Sequence, residues 1–277
     1  MTVKINAWIG WLLVAVVLGG PVWAADLENT GTPGAAAMES GADADPFDPF
    51  DHPAGGTASD QNTTAQAVAD PISGFNRVMF TFNDKLYFWL LKPVAIGYRT
   101  VVPSPVRVGV KNVFHNALMP VRLVNCLLQG KVQAADRELG RFLVNSTFGL
   151  GGLFDLATVD PKLAPPPEED FGQTLGHYRV GNGFYIVWPI LGPSTLRDTV
   201  GIIGDWALDP LNFMQLVNAE AGILTERETG YVLYGTKTVN ATSFRIGDYE
   251  AFKNAALDPY TAFRNAYIQN RNSKIAQ

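Results

Sequence analysis

From Asp70 to the C-terminus, prolines stand at the heads of apolar stretches with three- and four-residue spacing, and this punctuation confines the chain to short helices. Asp70-Pro71 reads as a cap followed by proline at the first helical position. Behind it Ile72, Phe75, Met79, Phe82, Leu86 and Leu90 form a stripe to about Leu91, widened by Phe80, Tyr87, Phe88 and Trp89, and Lys92-Pro93 is expected to end the helix. Pro103-Ser-Pro105 opens a second helix to about Leu118, and Pro120 a third through Leu128 that stops near Gly130. A fourth, from about Lys131 to Thr147, sets Val132, Ala135, Leu139, Phe142 and Leu143 against Gln133, Asp136, Arg137 and Arg141. Pro193-Ser194 starts a helix to about Trp206 with Ser194 or Thr195 as its cap, and Asp209-Pro210 starts another. From Asn218 onward helix is expected in pieces, weakened by Gly230, Gly235 and Gly247, until Asp258-Pro259 caps the last. Residues 183–191 allow a short extended stretch, but no alternating pattern is long enough to build a sheet, so the predicted class is all-α.

The first 70 residues have a different character. Met1–Asn6 carries one positive charge, Ala7–Leu18 is an unbroken apolar run, and Gly19-Gly-Pro-Val-Trp-Ala24 supplies a helix-breaking, small-residue region. Residues 1–24 therefore read as a secretory signal peptide, cut after Ala24, because the apolar run is short of the ~20 residues that span a bilayer. Residues 25–69, rich in Gly, Ala, Pro, Asp and Thr, hold acidic side chains and no Lys or Arg, and are expected to form a disordered acidic tether. Residues 70–277 make the folded domain. Beyond position 70 there are 20 basic against 17 acidic side chains, too small and dispersed an excess to point to nucleic acid. After the leader no segment offers ~18 continuous apolar residues. Helices apolar around most of their circumference belong either in a core or in a membrane interface, and composition favours the core.

Catalytic constellations are missing from the sequence. His52 lies in the tether, and His115 sits on a helix as a partly buried histidine would. No serine has a Gly-x-Ser-x-Gly setting, no His-Glu-x-x-His or Cys-x-x-Cys pattern offers a metal site, and no glycine loop ends in Lys-Ser/Thr. Glu168-Glu169-Asp170, after three prolines in the Lys162–Asp170 connection, reads as a solvated turn. Cys126, the one cysteine, reads as a small buried side chain, and no cysteine follows the leader to carry an acyl anchor. The chain is thus read as a non-enzyme without a cofactor or metal.

Phe171–Asp198 alternates large apolar groups with glycines at 172, 176, 181, 183 and 192, and holds few charges until Arg197 and Asp198. It is expected to bring backbone close to apolar surface. Together with Asp70-Pro-Ile-Ser-Gly-Phe-Asn-Arg77 (continued by Phe80 and Asn83), Arg141–Asp155, and Asp258–Gln269 with Arg271, it resembles the MlaA (VacJ) family of outer-membrane phospholipid-transport proteins. The resemblance runs from Asp70 to about Ile275.

That resemblance implies an all-helical, ring-like arrangement of amphipathic helices enclosing a channel, set in the inner leaflet of a Gram-negative outer membrane at its periplasmic face. It implies removal of phospholipids misplaced in the outer leaflet, delivery to a soluble periplasmic carrier, and a trimeric porin as outer-membrane partner. Phe148, Leu150, Leu153 and Phe154 are candidates for the apolar channel wall, with Gly149, Gly151 and Gly152 letting the backbone bend beside it. Arg141, His177 and Arg197 are candidates for headgroup contact. The alternatives are a lipid-modifying hydrolase built on His177 and Ser194, and a structural envelope protein that transports nothing. The family is typified by lipoproteins, so without an acylation cysteine either the chain starts elsewhere than at Met1 or it holds the membrane through its apolar helices alone.

Overall fold

A computed structural model describes residues 68–210, 212 and 227–277. The segment read as a signal peptide, nearly all of the one read as a tether, and most of the helix expected from Asp209-Pro210 fall outside the described residues. The helices are α1 (Ser73–Leu86), α2 (Lys92–Val101), α3 (Ser104–Ala117), α4 (Met119–Leu128), α5 (Val132–Thr147), α6 (Phe171–His177), α7 (Leu196–Leu208), α8 (Arg227–Phe244), α9 (Asp248–Ala255) and α10 (Pro259–Ala276). Two 3-10 turns, Leu156–Val159 and Pro161–Leu163, follow α5.

Three local expectations are revised. Asp70 does not cap α1, whose N-cap is Ile72. Its carboxylate instead accepts hydrogen bonds from Asn76 Nδ2, the Tyr260 hydroxyl and Arg264, tying the start of α1 to α10. Lys92-Pro93 does not end the first helix. Tyr87–Leu91 winds as a π-helical turn, with the Lys92 N–H bonded to the Tyr87 carbonyl five residues back, and α2 continues directly. The wider turn absorbs a proline that would break a regular α-helix. Gly230 and Gly235 do not interrupt α8, whereas Gly247, at φ 107°, does separate α8 from α9.

The expectation of no sheet is also corrected. Tyr185–Trp188 (β1) and Gly192–Thr195 (β2) form an antiparallel hairpin in the register Tyr185↔Thr195 to Trp188↔Gly192. Pro193 and Ser194 belong to β2, and Thr195 alone caps α7, accepting the Asp198 N–H. Four-residue strands this short have no legible alternation. They form here because α1 binds the hairpin along its backbone: Asn76 donates to the Tyr185 carbonyl and accepts the Val187 N–H, and Asn83 donates to the Trp188 carbonyl and accepts the Ile190 N–H. The last pair also holds Ile190 at φ 70°, a conformation a β-branched residue seldom adopts unaided.

The apolar core is small. Tyr185, Val187, Tyr260, Tyr267 and Ile268 cluster with Val68, Met79 and Phe80, joining the hairpin to α1 and α10. Cys126, Ala134 and Ala135 make a second, tighter contact between α4 and α5, and burial pushes the Cys126 thiol up to about 12, an inert side chain as expected. Among the described residues, more polar and charged side chains are buried than apolar ones.

Candidate functional site

The polarity of α1 is inverted. Phe75, Val78, Phe82 and Trp89 recur at helical spacing and face outward, with Trp89 78 % exposed, while Asn76 and Asp84 are buried on the opposite side. Lys85 interrupts the outward stripe, its ammonium 6.0 Å from the centre of the Trp89 ring. A buried polar face and an exposed apolar one are the informative departures from an ordinary globular surface. Exposed apolar side chains also occur on α2 and α3, at Val94, Ile96, Val101 and Val106, and on α7, at Val200, Ile203 and Trp206. Among the described residues no helix is long and apolar enough to cross a membrane. An apolar surface of this extent on non-spanning helices suits an interface with lipid or protein.

The loop after α5 is exposed as well. Phe148 is 74 % and Leu150 70 % exposed, with Leu153 and Phe154 also exposed. Its glycines divide into two kinds. A Cβ on Gly152 would lie 2.5 Å from Asn116 Cβ, and one on Gly149 would overlap the Phe154 and Asn145 carbonyl oxygens, so these two pack the loop onto α3 and α5. Gly151 is open, but its φ of 72° favours glycine. The Asn116 amide donates to Ser146 Oγ and to the Gly151 carbonyl and so pins the loop, whose Leu153 side chain lies against Gly109 of α3 while Phe148 and Leu150 stay exposed.

Arg141 is buried; it donates to Asp155 Oδ2 at 2.6 Å and to the Leu163 carbonyl at 2.8 Å. Arg197 is buried, and its Nε and one terminal nitrogen both donate to Asp198 Oδ1, at 3.0 and 2.8 Å. Of the three headgroup candidates only His177, the last residue of α6, is exposed, its ring edge-on to Tyr178. Ser194 is buried with its hydroxyl on the Thr195 carbonyl and Thr199, and His115 Nδ1 lies 3.1 Å from Glu168. No metal-binding group of His, Cys, Asp and Glu occurs among the described residues.

Phe171–Asp198 is buried at both ends in a polar seam, while Tyr185 and Val187 in its middle join the apolar core. Its first seven residues are α6, and the acidic run before it is not a solvated turn. Glu169 is buried against Gln129 and Lys131, and Asp170 caps α6 by accepting the Gln173 N–H at 2.8 Å. Arg271 of α10 reaches Asp170 with both terminal nitrogens and Asp198 at 3.0 Å, and the Tyr267 hydroxyl donates to Asp198 Oδ2 at 2.9 Å. Burial pushes the Asp170 carboxyl up, but the charge and hydrogen bonds of Arg271 outweigh it and hold the group well below the usual carboxylate range. Asp198 is lowered by the same contest, with Arg197 helping. The glycines make this seam possible: a Cβ on Gly201 would lie 2.5 Å from the Gly172 nitrogen, and one on Gly172 would lie 2.7 Å from Arg271 and Asp198 atoms.

A family model described as "MlaA lipoprotein" matches residues 68–274. This chain belongs to the MlaA lipoprotein family. The MlaA relatives include a Haemophilus influenzae protein named "Intermembrane phospholipid transport system lipoprotein MlaA", 34 % identical over 207 residues, covering 74 % of this chain and 79 % of that one. The Escherichia coli protein of the same name is 34 % identical over 214 residues, with 76 % and 80 % covered. A Rickettsia felis protein of no stated function is 35 % identical over 212 residues, with 75 % and 78 % covered. A solved structure described as "Structural basis for maintenance of bacterial outer membrane lipid asymmetry" superposes with a TM-score of 0.61 at 34 % identity, over 75 % of this chain and 99 % of that one.

All four blocks that carried the resemblance fall inside the MlaA match, and the first, third and last meet in space. Asp70 and Asn76 from the first bond with Tyr260 of the last, and Asp198 from the third, with Asp170 just before it, bonds with Tyr267 and Arg271 of the last. What the sequence reading missed was the outward stripe of α1. The signal was present: Asn76 and Asp84, eight residues apart, mark one face, and Phe75, Val78, Phe82 and Trp89 the other.

Proposed function

We propose that this chain transports phospholipid between the membranes of the cell envelope. It takes up phospholipid misplaced in the outer leaflet of the outer membrane and releases it toward the periplasm, which preserves lipid asymmetry. The observation that carries this reading is the match of the whole described domain to a family whose named relatives are lipoproteins of an intermembrane phospholipid transport system. The inverted polarity of α1 supports it. A protein working in lipid needs apolar side chains outside and its polar groups satisfied inside.

In this reading a secretory leader exports the chain, the acidic tether precedes the domain, and the outward helices hold the periplasmic leaflet. Phe148, Leu150, Leu153 and Phe154 supply an apolar surface that passes lipid tails, as the wall of a channel enclosed by the helices. Gly149 and Gly152 serve packing. His177 is the headgroup candidate whose side chain is exposed, whereas Arg141 and Arg197 already bond carboxylates. A soluble lipid carrier receives the product, and a porin shares the outer membrane. Transfer is passive. The hydrolase alternative is disfavoured by Ser194, whose buried hydroxyl bonds the Thr195 carbonyl and Thr199.

The test is outer-leaflet composition. Deleting the gene should let phospholipid accumulate in the outer leaflet and raise detergent sensitivity, with rescue by the intact chain and by Ser194→Ala; an unchanged outer leaflet sinks the reading. Loss of rescue with Ser194→Ala in a folded protein would favour the hydrolase.

A further inference from the structure

The chain enters the domain beside the first turn of α1. Val68 packs against the core of hairpin, α1 and α10, the Ala69 carbonyl accepts the Tyr185 N–H at 3.0 Å, and Asp70 bonds Asn76. From there Phe75, Phe82 and Trp89 follow one another on the exposed line, seven residues and so roughly 10 Å apart. Between Phe82 and Trp89 lies Lys85, exposed and paired with no carboxylate among the described residues. The line itself carries no acid: Asp84, the one acidic residue of α1, is buried on Tyr249 and Lys253. In water an apolar line of this kind favours any cover within reach.

The segment before the domain carries a matching pattern. Its two aromatic residues, Phe47 and Phe50, stand in the repeat Asp45-Pro-Phe-Asp-Pro-Phe-Asp51, and residues 25–69 hold eight carboxylates and no Lys or Arg. Proline favours extended backbone at the residue before it, and in the polyproline conformation residues three apart share a side at a distance of roughly 9 Å. Two phenyl rings with a carboxylate between them therefore have the spacing and the charge to meet Phe82, Lys85 and Trp89. Sixteen small or polar residues join Asp51 to Val68. A linker of that length spans roughly 20–25 Å on average, and the line from Phe75 to Trp89 is roughly 21 Å long. A span that matches its linker gives the highest effective concentration, in the millimolar range for a short linker.

We propose that Asp45–Asp51 docks on α1 of its own chain, with Phe47 and Phe50 on the Phe82–Trp89 part of the line and Asp48 on Lys85, and covers that apolar surface until a membrane displaces it. The contact joins parts of one chain and stands whether or not the chain carries lipid; the displacement rests on the lipid reading.

The test uses the full chain, dilute and freed of detergent. A benzophenone amino acid in place of Phe50 should, on irradiation, cross-link to the peptide that holds Phe82 and Trp89. Mixing heavy- and light-isotope protein should show the bond to lie within one chain. Cross-links between copies, or scattered over the domain, overturn the docking. Phe47→Ser with Phe50→Ser lies outside the domain and leaves every charge in place. It should bind phosphatidylethanolamine–phosphatidylglycerol vesicles about fivefold more tightly, the gain when a face covered about four-fifths of the time is freed. Unchanged binding overturns the cover, and weaker binding shows that the two phenylalanines enter the lipid themselves, which overturns it too. If neither form binds vesicles, the lipid reading fails and the cross-link alone decides the docking.

Discussion

The α6–α7–α10 seam and the outward face of α1 with the Phe148–Phe154 loop use opposite chemistry. At the seam, charged groups are buried: Asp170, Asp198, Arg197 and Arg271 satisfy one another at hydrogen-bonding distance across three helices. On the outward face, large apolar side chains such as Trp89, Phe148 and Leu150 stand exposed. A protein folded by the hydrophobic effect alone would reverse this arrangement. The difference separates two tasks. Directional polar bonds hold the fold, and apolar surface is left for whatever surrounds the molecule.

The contrast is most sharply broken at Arg271. Arg271→Met removes the shared partner of two buried carboxylates and should cost about 3–5 kcal/mol in equilibrium unfolding in detergent; a loss under about 1 kcal/mol would show that the seam does not hold the fold. Gly201→Ala should cost roughly 1–3 kcal/mol, because its methyl would meet the Gly172 backbone, which cannot yield as a flexible side chain can. Asn76→Ala strips two hydrogen bonds from β1 and should cost about 2 kcal/mol, with the loss of protection concentrated in the hairpin amides.

Stability against pH gives a finer test. Burial, and then the charge of Asp170, push Asp205 of α7 up to about 7. It binds a proton in the folded state that the unfolded chain releases near 3.8, so its contribution is complete below that pH and is lost as pH rises to about 7. The slope is at most about 1.4 kcal/mol per pH unit. The lowered Asp170 and Asp198 act oppositely: their contribution is present above 3.8 and is lost as pH falls below it. A stability maximum on the acid side of neutrality is expected, with its neutral limb flattened in Asp205→Asn.

The smallest effect on the fold is expected outside. Trp89→Ser with Phe148→Ser should change unfolding by under about 0.5 kcal/mol for each substitution. The same pair should weaken binding to phosphatidylethanolamine–phosphatidylglycerol vesicles by about tenfold, since each ring carries roughly 150–250 Å² of apolar area. Unchanged vesicle binding would remove this face from the lipid contact.

The sequence made the helices legible, because proline placement and three- and four-residue spacing are local: α3, α4 and α5 lie where Pro103-Ser-Pro105, Pro120 and Gly130 place them. It misread Pro93, which a local π-helical turn absorbs, and it misread Asp70 and the hairpin, where the deciding partner lies elsewhere in the chain. Asp70 leaves its cap position for Tyr260, 190 residues away. The strands of the hairpin depend on Asn76 and Asn83, more than 100 residues before them. The site candidates divide in the same way. The exposure of Phe148, Leu150 and Phe154 follows from apolar residues set among glycines, but nothing local to Arg141 or Arg197 announces Asp155 or the buried surroundings of Asp198.

By itself the sequence determined a helical domain without a membrane-spanning segment, and it held the four blocks that place the chain in the MlaA lipoprotein family. Only the tertiary structure decided which way each helix faces. A helix apolar around most of its circumference can bury either side, and its own periodicity does not choose. In α1 the choice is made by Asn76, Asn83 and Asp84, which bond to the hairpin and α9 through Tyr185, Trp188, Tyr249 and Lys253. With those polar groups turned inward, Phe75, Val78, Phe82 and Trp89 are left outside.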